Sequence, residues 1–374
     1  MSALFQPIRL GGLDVSNRIA VSPMCQYSAV DGLAQPWHLV HLGGLMLSGA
    51  GLVILEATAV QPEGRITPGC LGLFSDATEA ALTGLVANLR GLSGARIGIQ
   101  LAHAGRRASC QPPHDRWKGD ILTDSDGAWQ TVAPSALPVA PGWHVPQAFD
   151  ADAIARLIAD FAAAARRADR AGIDLVELHA AHGYLLHQFL SPLTNHRQDA
   201  WGGNPENRRR VVVDIVRAIR AVWPASKALG VRVNSTDWHP DGLMIDDALD
   251  LVAVLKAEGV DYVVMSAGNL VPDARIPPAT PGHQVDFATR AKQHTGLTAM
   301  AVGMIADPQQ AEDIVASGAA DMVAIGRAML DDPRWGLHAA AALGVKADYP
   351  PQYLRAQPGV WPAYPIAHPG SAAA

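Results

Sequence analysis

His179 and His182 stand three residues apart, and Tyr184 follows two positions later. A neutral imidazole donates through one ring nitrogen and accepts through the other, and a spacing of three puts both rings on one side of a tight turn. Such a pair could begin a metal site, but no third ligand stands at motif spacing, so no metal is expected. The stronger reading is two donors that grip one carbonyl oxygen or oxyanion, with the Tyr184 hydroxyl beside them as an acid. The bland alternative is two polar loop residues. Arg232 is as telling, because it interrupts LGVRVN (229–234), a run apolar on both faces. A guanidinium keeps its proton, and burying it without a partner costs several kcal/mol. It therefore needs an anionic or strongly accepting neighbour, either a barrel carboxylate or a ligand such as a flavin ring, whose N1–C2=O edge becomes negative on reduction. Gln100 offers a donor and an acceptor together, matching the alternating edge of a pyrimidine or flavin, or else is a satisfied core amide. Gly303 and Gly326 permit close backbone approach to a phosphate, and Arg327 adds a bidentate charge. Cys25, taken alone, is a small buried hydrophobe.

These residues lie at or near the ends of eight short apolar runs: 18–24, 52–60, 96–101, 174–179, 229–234, 261–266, 298–303 and 321–326. Continuous rather than alternating apolar runs mark parallel strands covered on both faces. Helical patterns separate most of them, at 151–171, 206–223, 245–258 and 308–317. Strand–helix alternation repeated eight times predicts an α/β fold, a single (β/α)8 TIM barrel over residues 1–345. Active sites of such barrels lie at the C-terminal strand ends, and loops after strands seven and eight are the usual phosphate site. Two Pro-rich segments, 103–150 and 267–286, fall where βα loops belong and are expected to wall a substrate cavity. The aromatic, Pro-rich stretch 346–374 has no period and is expected to be a C-terminal tail that forms an interface.

The composition narrows the partners. Of 374 residues 49% are hydrophobic and only 17% charged, enough apolar side chains for a large core and too few charges for disorder. A net charge of −6 argues against nucleic acid or an anionic membrane as partner. Three cysteines, Cys25, Cys70 and Cys110, cannot make a disulfide framework, which points to a reducing compartment. No basic-then-apolar leader and no long uncharged apolar span are visible, so a soluble cytoplasmic protein is expected.

With these residues in place, the chain resembles the Old Yellow Enzyme family, in its thermophilic-like branch of bacterial xenobiotic reductases. The resemblance runs from Leu4 to about Arg355 and is most specific over HAAHGYLLHQFLSPLTNHRQDAWGGNPENRRR, 179–210. SPMCQY (22–27), PEGRITP (62–68), QLAHAGR (100–106), VRVN (231–234) and IGRAML (325–330) support it. It implies FMN across the barrel mouth, NADPH or NADH as hydride donor, and α,β-unsaturated carbonyl compounds as acceptors, with nitro compounds and nitrate esters as further candidates. Position by position, the flavin contacts would be Pro23, Met24, Cys25, Ala57, Gln100, Arg232, Gly303, Gly326 and Arg327. His179 and His182 would hold the substrate carbonyl, Tyr184 would give the proton, and Tyr27 would be a second substrate hydroxyl. In the tail either Arg355, like an arginine finger, or Trp361, like an aromatic lid, would reach substrate. A homodimer or dimer-based tetramer is expected, with the tail of one subunit near its neighbour's site. Iron–sulfur dienoyl-CoA reductases share the barrel but need a cysteine cluster and a second domain, and no cysteine follows Cys110. The rival from another class is a barrel that binds FMN or a phosphate-bearing ligand without turnover; an aligned acid argues against it.

Overall fold

The computed structural model describes residues 2–112 and 120–368, so parts of the third-strand loop (113–119) and of the tail (369–374) lie outside the described residues. All eight apolar runs are strands: β1 Ile19–Val21, β2 Leu52–Ala59, β3 Arg96–Ala102, β4 Leu175–Ala180, β5 Ala228–Asn234, β6 Tyr262–Ser266, β7 Thr298–Ala301 and β8 Met322–Ile325. They pair in parallel in chain order, and β8 closes on β1 through Val323↔Ile19 and Ile325↔Val21. The helices that follow them are α1 Pro36–Met46, α2 Asp76–Arg90, α3 Ala151–Arg170, α4 Pro205–Arg220, α5 Ile245–Ala257, α6 Val285–Thr295, α7 Pro308–Ala316 and α8 Trp335–Ala342. A short hairpin, Ile8–Leu10 with Leu13–Val15, precedes the barrel and sends Leu10, Leu13 and Val15 into a core cluster with Leu52, Tyr262 and Met322.

The helices form for local reasons. In α3 the buried Ile154, Leu157, Phe161, Ala164, Ala165 and Ala168 recur at helical spacing, and Asp150 caps the start by accepting from the Ala153 N–H at 2.7 Å. Pro308 at the first turn of α7 follows Asp307, whose carboxylate accepts from the Gln310 N–H at 2.8 Å.

Three strands stop short of a proline or glycine that lies within the apolar run. The last β1 bond, from the Ser22 N–H to the Ile325 carbonyl, precedes Pro23, which has no N–H to donate, so 23–28 continues as irregular backbone beyond the strand end. β7 ends before Gly303, whose φ of +107° leaves the strand region, and β8 ends where Gly326 turns into the short helix Arg327–Asp331. Each early end leaves irregular backbone on the face where ligands bind. Helices α1, α2, α6 and α8 were not among the helical patterns read from the sequence; α2 buries a regular stripe, Leu82, Leu85, Val86 and Leu89, whereas α6 buries only Ala288 and Ala291 of its eleven residues. Among the described residues no helix is long and apolar enough to cross a membrane.

Candidate active site

The histidine pair sits where β4 gives way to the short helix Leu185–Leu190. His182 and Gly183 both take left-handed backbone, φ +59° and +75°, which folds the chain back within two residues. A β-substituted residue there is strained by roughly 1–3 kcal/mol, a cost that persists when the surroundings hold it. Asn234 at the end of β5 supplies that hold, accepting from the His182 N–H at 3.4 Å and the Gly268 N–H at 3.0 Å. His187 adds to it, accepting from the Gly183 N–H while its Nε2 meets buried Asp237 at 2.7 Å.

The two rings meet edge to face, centroids 5.0 Å apart, with His179 Nε2 3.3 Å from His182 Nδ1. His179 Nδ1 accepts from the Ala181 N–H, so its own proton lies on Nε2. His182 Nε2 lies 2.9 Å from the Ser266 hydroxyl. Here the structure departs from two parallel donors: the imidazoles bond to each other. Burial, reinforced by the Arg232 charge, holds both pKa values well below the usual histidine range, so the pair is neutral. The Tyr184 ring stands edge to face with His179 at 5.0 Å, and burial raises its pKa, keeping the phenol protonated. The Arg107 guanidinium lies 5.8 Å from that ring and donates to the carbonyls of His182 and Asn269.

Arg232 pairs in register with His179 across β4 and β5. Its Nη1 donates to Ser22 Oγ at 3.2 Å and its Nη2 to Ser266 Oγ at 3.4 Å, while its buried Nε has no partner. Among the described residues no carboxylate lies within ion-pair distance of it. Two weak hydroxyl acceptors do not balance a desolvated guanidinium. A cavity of about 940 Å³ opens beside it, lined by Ser22, Met24, His182, Arg232, Ser266, Gln284, Gly303, Gly326 and Arg327 among others. That is the upper end of the roughly 300–1,000 Å³ typical of small-molecule sites.

Five of the residues expected at a flavin, Met24, Arg232, Gly303, Gly326 and Arg327, line this cavity; Pro23, Cys25, Ala57 and Gln100 do not. Pro23 and Cys25 lie half-buried on the segment over the mouth, tied down by Glu56, which accepts from the Gln26 N–H at 3.0 Å. A register shift in β2 between Leu55 and Ala57 sets Glu56 out of the ladder. Burial, then the neighbouring Glu56, pushes the Cys25 thiol up, so it is a neutral thiol. Ala57 lines a separate small gap with Tyr184 and Cys70. Gln100 is buried and donates Nε2–H to Glu177 at 2.7 Å. Tyr27 is half-buried with φ +53°, and burial raises its hydroxyl pKa. At the far end Arg327 is exposed, and its side chain makes no hydrogen bond among the described residues. A Cβ on Gly303 would meet the Gln284 side chain at 3.1 Å, so that wall is already filled.

Neither tail candidate lines the cavity of its own chain: Arg355 and Trp361 are both exposed. The tail folds on its own barrel instead. Tyr364 is buried, Arg334 stacks 4.3 Å from the Tyr353 ring, and His338 meets His368 at 4.2 Å. These contacts bury Tyr364 and hold Tyr353 half-buried within one chain. Sequence reasoning passed over Ser22, Ser266, Gln284, Asn234 and Glu177. Small polar residues at strand ends carry a faint signal, and Glu177 inside DLVELH carried a usable one, a charge in an apolar run. Among the described residues no group of three His, Cys, Asp or Glu side chains is placed to hold a metal.

A parallel barrel with an under-partnered arginine, a neutral histidine pair and a glycine-lined cavity end fits an FMN oxidoreductase. The family comparison names it: the NADH:flavin oxidoreductase / NADH oxidase family matches residues 3–344, and the chain belongs to that family, the Old Yellow Enzyme family of FMN-dependent oxidoreductases. It is 42% identical over 356 residues to an NADPH dehydrogenase of Geobacillus thermodenitrificans, covering 95% of this chain and 98% of the relative. An NADPH dehydrogenase of Listeria monocytogenes is 42% identical over 358 residues, covering 95% and 99%. Among solved structures, morphinone reductase superposes with a TM-score of 0.75 at 28% identity, covering 93% of this chain and 91% of that one. A 2-naphthoyl-CoA reductase shares the fold, with a TM-score of 0.81 at 24% identity; this chain spans 52% of its length.

Proposed function

We propose that the protein takes hydride from NADPH and delivers it to the β-carbon of an α,β-unsaturated carbonyl compound, the two substrates using one cavity in turn. The observation that carries this reading is the neutral His179–His182 pair beside a protonated Tyr184, next to Arg232. Bound FMN supplies the hydride acceptor and donor that no side chain of this protein provides. Arg232 and Gln100 would hold the ring edge, Pro23, Met24, Cys25 and Ala57 would border the ring, and Gly303, Gly326 and Arg327 would take the phosphate. The orphaned Arg232 Nε and the exposed, unpaired Arg327 fit such an anionic, strongly accepting group. The names of the two bacterial relatives support NADPH as donor.

To hold a carbonyl oxygen with both rings, His182 must carry its proton on Nδ1. Ser266 governs that choice, since its single hydroxyl proton can go to His182 Nε2 at 2.9 Å or to Gln284 Oε1 at 3.1 Å. With the Ser266 proton toward His182 Nε2, the bond between the rings is given up, and His179 Nε2–H and His182 Nδ1–H are both free to donate to a ligand oxygen. A carbonyl there is polarised, and negative charge arriving on its oxygen as the β-carbon gains hydride is stabilised. Loss of one such donor typically costs ~10²–10³ in rate. Tyr184 then gives its proton to the α-carbon, so C=C becomes CH–CH and the phenolate is re-protonated from solvent. Tyr184→Phe tests the assignment in single turnovers. Reoxidation by 2-cyclohexenone is expected to slow ~10²-fold or more while reduction by NADPH stays near the parent rate. Equal slowing of both halves reassigns Tyr184 to packing and removes the proton-donor reading.

A further inference from the structure

Glu177 is a fully buried carboxylate that takes no part in the steps above. It precedes His179 by two residues on β4, so the two share a face, and Gln100 and Gly230 are its register partners on either side. Glu177 Oε1 accepts from Gln100 Nε2 at 2.7 Å and Oε2 accepts from the Tyr262 hydroxyl at 3.0 Å. Tyr262 reaches it only because Gly230 has no side chain: a Cβ there would lie 2.1 Å from the Tyr262 ring. The next residue on that face of β5 is Arg232. Burial raises the Glu177 pKa, and the Arg232 charge is the largest influence opposing the rise.

We infer that Glu177, held by Tyr262, is a positioning residue that orients the Gln100 amide and offsets the Arg232 charge, and so sets the reduction potential of the bound FMN. This rests on the placement of the flavin across Gln100 and Arg232. Both Glu177 oxygens accept, one from Gln100 and one from the Tyr262 hydroxyl, which draws the NH₂ end of the Gln100 amide to Glu177 and leaves Oε1 as the end available to a ligand N–H. An uncompensated guanidinium would favour the negative charge that two-electron reduction brings to the ring. A carboxylate beneath it, in surroundings of low dielectric, weakens that pull and holds the potential down. Glu177 and Tyr262 touch neither cofactor nor substrate in this account; they act through Gln100 and Arg232.

Glu177→Gln, purified with FMN, is expected to raise the midpoint potential by at least the equivalent of a tenfold preference for the reduced form, about 30 mV for a two-electron couple. Sulfite, which adds to the flavin and leaves it anionic, is expected to bind ~10-fold more tightly. Tyr262→Phe keeps the ring over Gly230, removes one donor from the carboxylate and makes it easier to protonate, so a smaller rise of the same sign is expected. A parental potential in Glu177→Gln, or in Tyr262→Phe where the first variant does not accumulate, overturns the inference. Arg232→Ala separates the two levels. If it changes neither FMN affinity nor potential, the flavin placement itself fails; if it lowers either while Glu177→Gln changes nothing, only the role of Glu177 fails.

Discussion

Single side chains here act through where their protons sit. Two imidazoles free in water would titrate near neutrality, but burial and Arg232 hold His179 and His182 neutral well below that range. Enone turnover is therefore expected to keep a flat kcat/KM between about pH 6 and 8, with no inflection near the ordinary histidine pKa of about 6.5. A fall in kcat/KM toward pH 6, present in the parent and abolished by replacing His182, would contradict the neutral pair. Ser266→Ala removes the hydroxyl that selects the His182 tautomer. It is expected to weaken p-hydroxybenzaldehyde binding ~10-fold with FMN retained, the worth of one hydrogen bond, and Ser266→Thr is expected to restore it. Unchanged phenol affinity in the alanine variant would remove Ser266 from the site. The sequence made the histidines and Arg232 legible because their types are rare in such settings. It could not show that the rings bond to each other, since a ring orientation depends on Ser266 and Ala181, which look ordinary on paper.

At the scale of elements, strands place these groups and loops shape the cavity. The eight strands were readable as apolar runs because a parallel barrel buries both faces; among the helices not read, α6 buries only two alanines and gives no stripe, whereas the stripe of α2, Leu82, Leu85, Val86 and Leu89, was legible and passed over. Strand ends were misjudged where Pro23, Gly303 and Gly326 break the ladder, although each residue was visible; a run of hydrophobicity does not report hydrogen bonding. The loop after β3 begins with His103, a buried ring whose Nδ1 accepts from the Gly105 N–H and whose pKa burial lowers to about 3. Between that value and about 6.5 the unfolded chain binds the proton and the folded chain does not. Stability is thus full above about pH 6.5 and falls as pH drops toward 3, by up to about 1.4 kcal/mol per pH unit from this group. The urea midpoint of His103→Asn is expected to fall less steeply between pH 6.5 and 4 than the parent's, and equal slopes would show that His103 is charged or irrelevant in the fold.

For the whole molecule, the tail is the feature left without a role inside one chain. Its Tyr364 is buried on its own barrel, yet Leu354, Val360, Trp361 and Ile366 remain exposed, the last at 81%. We propose that this face meets a second copy and brings Arg355 or Trp361 to the neighbour's cavity, giving a symmetric dimer. Val360→Asp is expected to sediment as a monomer that keeps FMN and shows a raised enone KM. A parent protein monomeric at micromolar concentration, or a monomeric variant of unchanged KM, would end that proposal. Anaerobic mixing of the FMN-loaded protein, first with one equivalent of NADPH and then with 2-cyclohexenone, follows both halves of the proposed cycle in one experiment. The flavin absorbance near 460 nm, a property of the free cofactor, is expected to bleach with NADPH and to return with the enone, yielding about one cyclohexanone per flavin. A flavin that NADPH bleaches and the enone does not restore would contradict the proposed reaction.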